Sequence, residues 1–591
     1  MDKRNLKQRG SDWLEQLRLH LSRPDALLQL AAVGLLAGLL SGAVIVLFRW
    51  LVEGSQEGLL PGQGAENYEA LPLWARFALP VLGGVLLALL FRWAAGGLHM
   101  LGIARVLERM AYHQGHLSAR GFVVQFVGAA LAITSGHSVG REGPHVYLGA
   151  AASSLMGQRL SLPNNSIRTL VGCGTAAGIA ASFNTPLAGV VFALEVVMME
   201  YTVASFIPVI LAAVSANALS VAVFGAEPAF SVPDLPAIEL ADLPSVVLLG
   251  LVAGSVSALY VHLLQQVALR SRNVAIWWRQ VLAGVLLGAL AMAVPQVMGI
   301  GYDTVNLALL GQLGAWTLLL VVSAKLLATC VCIGLGVPGG MIGPALFLGA
   351  GLGSLAGLGM SLLLPGNEAA PALFALLGMG AMMGASLQAP LAALTAMMEL
   401  THSPAIVMPG MLVIVVASLT ASELFGKQSL FLAMLQSSGM DYRTSPVQQA
   451  LSRVGVASVM AKNFVRVDAQ IGRQLAESVV DSEIDWVLVD EEQQPSQLLS
   501  TADLARHLLG EPPEVDSLDL LAIPATRLQL AGISVQANLQ QAHMLLEQGS
   551  VEALYVHGIS RGQGERIYGV LTRELIESAY RLQEVGSGSA V

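Results

Sequence analysis

The stretch Gly140-Arg141-Glu142-Gly143-Pro144 places a charged pair inside one of the least polar parts of the chain. Phe122 to Ser138 before it and His145 to Gln158 after it contain no Asp, Glu, Lys or Arg. Ionisable groups are costly in such surroundings and therefore mark an ion or substrate pathway. Two glycines let backbone approach a ligand, and Pro144 suits the first position of a helix. A loop opening into a helix presents unpaired N–H groups and the positive end of the helix dipole, which favours an anion. Glu142 is then a tethered carboxylate competing with a free anion for one seat. The rival reading, an ion pair with Arg141 that only holds the loop, fits the setting less well.

A second loop, Gly339-Gly340-Met341-Ile342-Gly343-Pro344, has the same design without the acid. His137 and His145 flank the first loop; pH sensing is one reading, packed and hydrogen-bonded histidines the commoner one. Lys325 within an apolar segment is expected to pair or to snorkel. Gly136-His137-Ser138-Val139-Gly140 matches the hydrolase pattern G-x-S-x-G, but it ends an apolar helical run rather than a strand, so the match is accidental. An intramembrane serine protease using Ser138 is argued against by the matching loop at Gly340, which holds no corresponding catalytic residue, and the lack of H-E-x-x-H removes the commonest zinc protease pattern; the chain is expected not to be an enzyme. A cation pathway would need acidic or other oxygen ligands, and the apolar region offers only Glu142, Glu195 and Glu399.

The elements that must position these loops are membrane helices. Of 591 residues, 54% are hydrophobic and 12% charged, and the mean hydropathy is +0.66. Soluble domains carry roughly twice that charge. Ala26 to Phe48 is uncharged and long enough to cross a bilayer of roughly 30 Å. Lys3, Arg4, Lys7, Arg9, Arg18 and Arg23 precede it, which puts the N-terminus in the cytoplasm. Glu53 to Ala70 and Ala226 to Asp242 lack Lys and Arg and are expected outside. Net charge of −9 argues against nucleic acid as a partner. Cys173, Cys330 and Cys332 sit in apolar segments, with neither disulfide nor metal spacing.

The chain repeats itself. Gly140–Gly157 aligns with Gly340–Gly357 at an offset of 200, matching Gly140, Gly143, Pro144, Leu148, Gly149 and Ser154 among others. Gly174–Glu195 aligns with Gly378–Glu399 at an offset of 204, matching Ser182, Pro186, Leu187, Ala188 and Glu195. The charge pattern makes the first span run outward and the span opening the second half run inward, so the repeat is inverted. Inverted repeats place a ligand near the bilayer midplane, where broken helices meet. Glu195 and Glu399 are repeat mates, which favours a shared structural role such as helix-end hydrogen bonding. After Met440, short β-like runs such as Trp486–Val489 and Leu554–Val556 alternate with helical patterns such as Leu539–Gln548. This predicts a soluble α/β region in two similar parts.

These motifs, together with Asn184-Thr185-Pro186-Leu187-Ala188-Gly189, resemble the CLC family of chloride channels and chloride/proton exchangers over most of Ala26 to Met440. The resemblance implies an all-α polytopic membrane fold of inverted repeats with short, broken helices. It also implies a homodimer in the lipid bilayer with one anion pathway per subunit. The tail is similar to a pair of CBS motifs, giving a C-terminal α/β domain. The organisation expected is a cytoplasmic N-terminal helix over 1–24, repeats over 25–225 and 226–440, and a linker over 441–455. CBS motifs follow over 456–509 and 510–591.

In the family, the glutamate matched by Glu142 is the gate, and protonation or displacement opens the pathway. The anion-binding residues implied are Gly140, Arg141, Glu142, Gly143, Met341, Ile342, Leu101, Gly102 and Phe431. Four positions depart from the family pattern. Leu101, in Met100-Leu101-Gly102-Ile103-Ala104, replaces the anion-binding serine. Phe431 replaces the pore tyrosine, so backbone donors at Glu142, Gly143, Met341 and Ile342 carry more of the binding. Val196 stands where exchangers have an internal proton-relay glutamate. Ile342 replaces a common phenylalanine. Val196 favours passive chloride conduction; a chloride/proton exchanger, or transport of another anion such as nitrate, is the alternative. No cofactor is required, and chloride is the ligand. An adenine nucleotide at the tail would use Asp503, Thr572 and Glu574; a purely dimerising tail is an equal expectation. A prokaryotic inner membrane, with both termini cytoplasmic, completes the reading.

Overall fold

The computed structural model describes residues 15–16, 18–23, 26–61, 66–94, 96, 101–226, 230, 232, 242–363, 370–401, 406–440, 446–491, 494–510, 516–549, 551–560 and 564–579. Trp13 of the N-terminal amphipathic piece, Met100, most of the 226–242 connection and the start of the linker at 441–445 lie outside the described residues. Two compact units result. One comprises 30–159 and 167–443; the other comprises 1–29, 160–166 and 444–591.

The larger unit is helical. Among the described residues, eight helices are long and apolar enough to cross a membrane, including Leu27–Leu59, Leu73–Trp93, Leu243–Ser271, Ala315–Gly334 and Val407–Leu424. Shorter apolar helices such as Ala119–Thr134 and Pro371–Leu387 accompany them. The repeat extends to local geometry. Ala119–Thr134 and Ala315–Gly334 end alike, with Gly136 at φ 78° and Gly336 at φ 89°. At both ends the amide two residues past the cap reaches back, His137 to the Ala132 carbonyl and Val337 to the Cys332 carbonyl. This is the glycine stop that leaves helical carbonyls satisfied. Asn184 and Gln388, offset by 204, both adopt left-handed φ, at 58° and 54°, just before the helices starting at Pro186 and Pro390. Gly149 faces Gly174, and Gly349 faces Gly378, so closely that a Cβ on any of the four would overlap a backbone oxygen. Small residues at crossings let helices pack in lipid, where no hydrophobic force drives them together.

The smaller unit carries a six-stranded sheet built twice over. Phe464–Asp468 pairs in parallel with Trp486–Glu491, which pairs antiparallel with Gln494–Ser500. Arg527–Ser534 pairs in parallel with Ala553–Ser560, which pairs antiparallel with Gly564–Thr572. An antiparallel junction of Gln494–Ser500 with Arg527–Ser534 joins the halves. The helix Leu539–Gln548 falls where periodicity predicts it. The cores do not divide at 509/510. Leu451, Val454, Val456 and Met460 pack with Ile533, Leu539, Val556 and Leu571 of the second half, and the Ala461 N–H donates to the Val570 carbonyl at 2.8 Å. Hydrophobic residues that precede the first strand thus complete the later core. The described N-terminal residues belong here as well: the Tyr568 hydroxyl donates to Glu15 at 3.0 Å, and the Gly455 N–H to the Ser22 carbonyl at 3.1 Å.

Candidate functional site

The two glycine-proline loops meet. Gly140 and Gly340 exchange N–H···O bonds of 2.8 and 2.7 Å, an isolated antiparallel bridge between matching positions of the repeats. The helices Glu142–Arg159 and Ile342–Leu363 start two residues beyond it. The approach requires glycine: a Cβ on Gly143 would lie 2.6 Å from the Gly340 Cα, and a Cβ on Gly140 would overlap the Glu142 carboxylate. Two helix N-termini, each with first-turn N–H groups lacking intrahelical partners, are thus held side by side.

Glu142 is fully buried, and its carboxylate occupies this junction. Oε2 accepts the Gly343 N–H at 3.0 Å, from the first turn of the opposite repeat's helix. Oε1 accepts the Tyr302 hydroxyl. Arg141 turns elsewhere, its Nη1 lying 3.2 Å from Glu53 and its guanidinium carbon 5.3 Å from the centre of the Tyr302 ring. The loop-holding Arg141–Glu142 pair is therefore not what forms. A buried carboxylate on a helix N-terminus is what an anion bound there would look like.

Two cavities lie at this junction. The larger, about 520 Å³, is lined by Leu101, Gly102, Gly143, Met341 and Phe431, with Arg272 and Arg279 also in its wall. It gathers five of the nine anion-site residues read from the sequence. Gly102 starts the helix Gly102–Tyr112, and its N–H is held by Gln125 Oε1 at 2.8 Å. The smaller cavity, about 260 Å³, is lined by Arg49, Glu53, Glu66, Arg141, His145 and Tyr302 among others. Glu142 lines neither; its chain neighbours Arg141 and Gly143 face different ones. Ile342 is fully buried and borders a separate void of about 20 Å³.

Sequence reasoning missed Gly343 as the donor and Tyr302 entirely. Tyr302 opens the short helix Tyr302–Leu309 after Gly301, which has φ 86°. Its N–H donates to Glu66 Oε2 at 3.1 Å, and its ring packs edge-on to Phe230 at 4.9 Å. Desolvation raises the Glu66 carboxyl above its ordinary range, against the opposing charge of Arg141. Lys325 corrects a second expectation. It does not snorkel, and it forms no ion pair among the described residues; it is fully buried and donates to the carbonyls of Val297 and Gly299, at 3.2 and 2.9 Å, in the turn that leads to Tyr302.

The remaining candidates are structural or stand apart. Glu399 accepts the N–H groups of Leu187 and Ala188 at 2.9 and 2.7 Å, and Glu195 accepts those of Leu391 and Ala392 at 3.3 and 2.8 Å. Each repeat caps a helix of the other. Val196 follows Glu195 in a buried π-helical turn, Ala193–Met198. His137 Nδ1 bonds Ser135 at 2.9 Å, and Ser138 bonds Thr329 at 3.1 Å, so neither is poised for hydrolysis. His145 is buried edge-on to Phe48. In the smaller unit, Asp503 pairs with Arg506 at 2.8 Å; Thr572 is buried and Glu574 exposed.

The model for the voltage gated chloride channel family matches residues 82–422. A protein of Ralstonia nicotianae named as a ClcB-like chloride channel protein is 34% identical over 380 residues, covering 63% of this chain and 87% of its own. Among solved structures, a slow cyanobacterial Cl−/H+ antiporter superposes with TM-score 0.61 at 23% identity, over 69% of this chain and 97% of its own. A eukaryotic CLC transporter gives TM-score 0.56 at 19% identity, over 95% and 98%.

Proposed function

Since this chain belongs to the voltage gated chloride channel family, and so to transporters of anions rather than enzymes, we propose that it conducts chloride passively through the Gly140–Gly340 junction with Glu142 as its gate. The observation that carries the reading is the Glu142 carboxylate seated on the Gly343 N–H between residues that line two cavities. When that carboxylate is protonated or swings aside, the amide dipoles and the helix end are left to a partly dehydrated anion. Arg272 and Arg279 in the larger cavity raise the local anion concentration.

Two features favour a channel over an exchanger. Val196 cannot relay a proton. Glu195, its chain neighbour, is engaged by two backbone amides of the other repeat, which ties it to a capping role. The reading includes a homodimer with one pathway per subunit, both termini in the cytoplasm and a bacterial inner membrane. With Leu101 and Phe431 supplying no side-chain donor, selectivity opens toward nitrate. The doubled sheet of the smaller unit is read as a CBS pair, with adenine nucleotide binding through Asp503, Thr572 and Glu574 a subsidiary reading. Calorimetric titration of the whole protein with ATP, ADP and AMP tests it; no heat for any leaves the unit a scaffold.

The deciding experiment reconstitutes the protein in liposomes, imposes a chloride gradient and follows external pH. Chloride flux without uphill proton movement is expected. Uphill protons that vanish in Glu142→Gln would refute passive conduction.

A further inference from the structure

We infer that the Tyr302 hydroxyl is the side-chain hydrogen-bond donor of the anion seat, taken by Glu142 when the pathway is shut and by the transported anion when the carboxylate leaves. The inference rests on the proposed anion pathway and adds a residue to it. A carboxylate has only acceptor oxygens, so its contacts map the donors of the seat. One oxygen takes the Gly343 N–H at 3.0 Å and the other takes the Tyr302 O–H. A halide or nitrate in the same place is also an acceptor only and meets the same two groups.

The geometry holds this hydroxyl still. The Tyr302 N–H is fixed by Glu66, and the turn before it by Lys325. The Gly299 N–H in that turn donates to the Gly136 carbonyl at 2.9 Å, at the glycine stop that precedes the gate loop. The guanidinium of Arg141, 5.3 Å from the ring centre, draws electron density from the phenol and strengthens its O–H as a donor. At the larger cavity, Leu101 and Phe431 offer no hydroxyl. The hydroxyl that those positions lack is supplied from the helix Tyr302–Leu309 instead.

The test measures chloride and thiocyanate binding by calorimetry on Glu142→Ala and on Glu142→Ala/Tyr302→Phe. Phenylalanine keeps the ring against Phe230 and removes only the hydroxyl. Chloride affinity is expected to fall at least about tenfold, the low end for a hydrogen bond to a charged acceptor. Thiocyanate, a weaker and more diffuse acceptor, should lose less, so the ratio of the two dissociation constants should move severalfold. Tyr302→Phe alone gives a second reading should the double variant fold poorly. Competition from Glu142 acts on both anions alike and cancels from the ratio. Unchanged chloride affinity and an unchanged ratio overturn the assignment of Tyr302. Failure of Glu142→Ala to bind any anion would instead overturn the pathway reading, and this inference with it.

Discussion

The two repeats are nearly interchangeable where they hold the molecule together and unlike where their glycine-proline loops meet. Gly136 and Gly336 end matching helices, Gly149 and Gly349 make matching crossings, and Glu195 and Glu399 trade matching caps. At the junction the symmetry breaks: Arg141-Glu142 stands in one repeat, Met341-Ile342 in the other. One loop supplies an acceptor, and the other supplies the donor that it takes. What the repeats share is scaffold, and what they do not share is the acid proposed as the gate.

Removing the asymmetric acid should give the largest change. Glu142→Ala frees donors whose bonds to a charged group are worth about 1.5–3 kcal/mol each. Unidirectional chloride flux in liposomes should rise on the order of tenfold or more and lose its dependence on pH. Ile342→Ala at the mate position should leave the pH dependence intact, and an equal loss there would break the comparison. Next come the symmetric caps. Glu195→Ala and Glu399→Ala should each cost about 1–3 kcal/mol by leaving two amides without acceptors, seen as similar falls in the unfolding temperature in detergent. A large fall for one and none for the other would show that the repeats do not share the load. The smallest effect is expected from restoring hydroxyls at the larger cavity. Leu101→Ser or Phe431→Tyr should tighten chloride binding by roughly two- to tenfold, the range of an ordinary net hydrogen bond. No change in either would place the binding groups elsewhere.

Much of this was legible in the chain. Paired Gly-Pro loops and paired half-buried glutamates survive as sequence patterns because each depends on local backbone needs: a close approach, a helix start, a cap. Five of the expected anion-site residues line one cavity, Leu101 and Phe431 among them on the strength of the family resemblance. Tyr302 was invisible because its role comes from a turn fixed at a distance by Lys325 and Glu66, and neither partner is near it in sequence. Lys325 itself looked like a charge in need of an escape, whereas two carbonyls of an irregular turn satisfy it. In the smaller unit, the alternation of short β-like runs with helical patterns was legible, but the placement of Leu451–Met460 in the second core was not. Hydrophobic pattern says that a face is buried, not which half buries it.

The traded caps also bear on how the protein is made. The acceptor for the Leu187 and Ala188 amides lies 212 and 211 residues further along the chain. A ribosome therefore delivers the first half with that helix end open, and it stays open until the second half emerges. In lipid an uncovered peptide group has no water to turn to, so the nascent first half is an unfinished object that only its successor, or the insertion machinery, can seal.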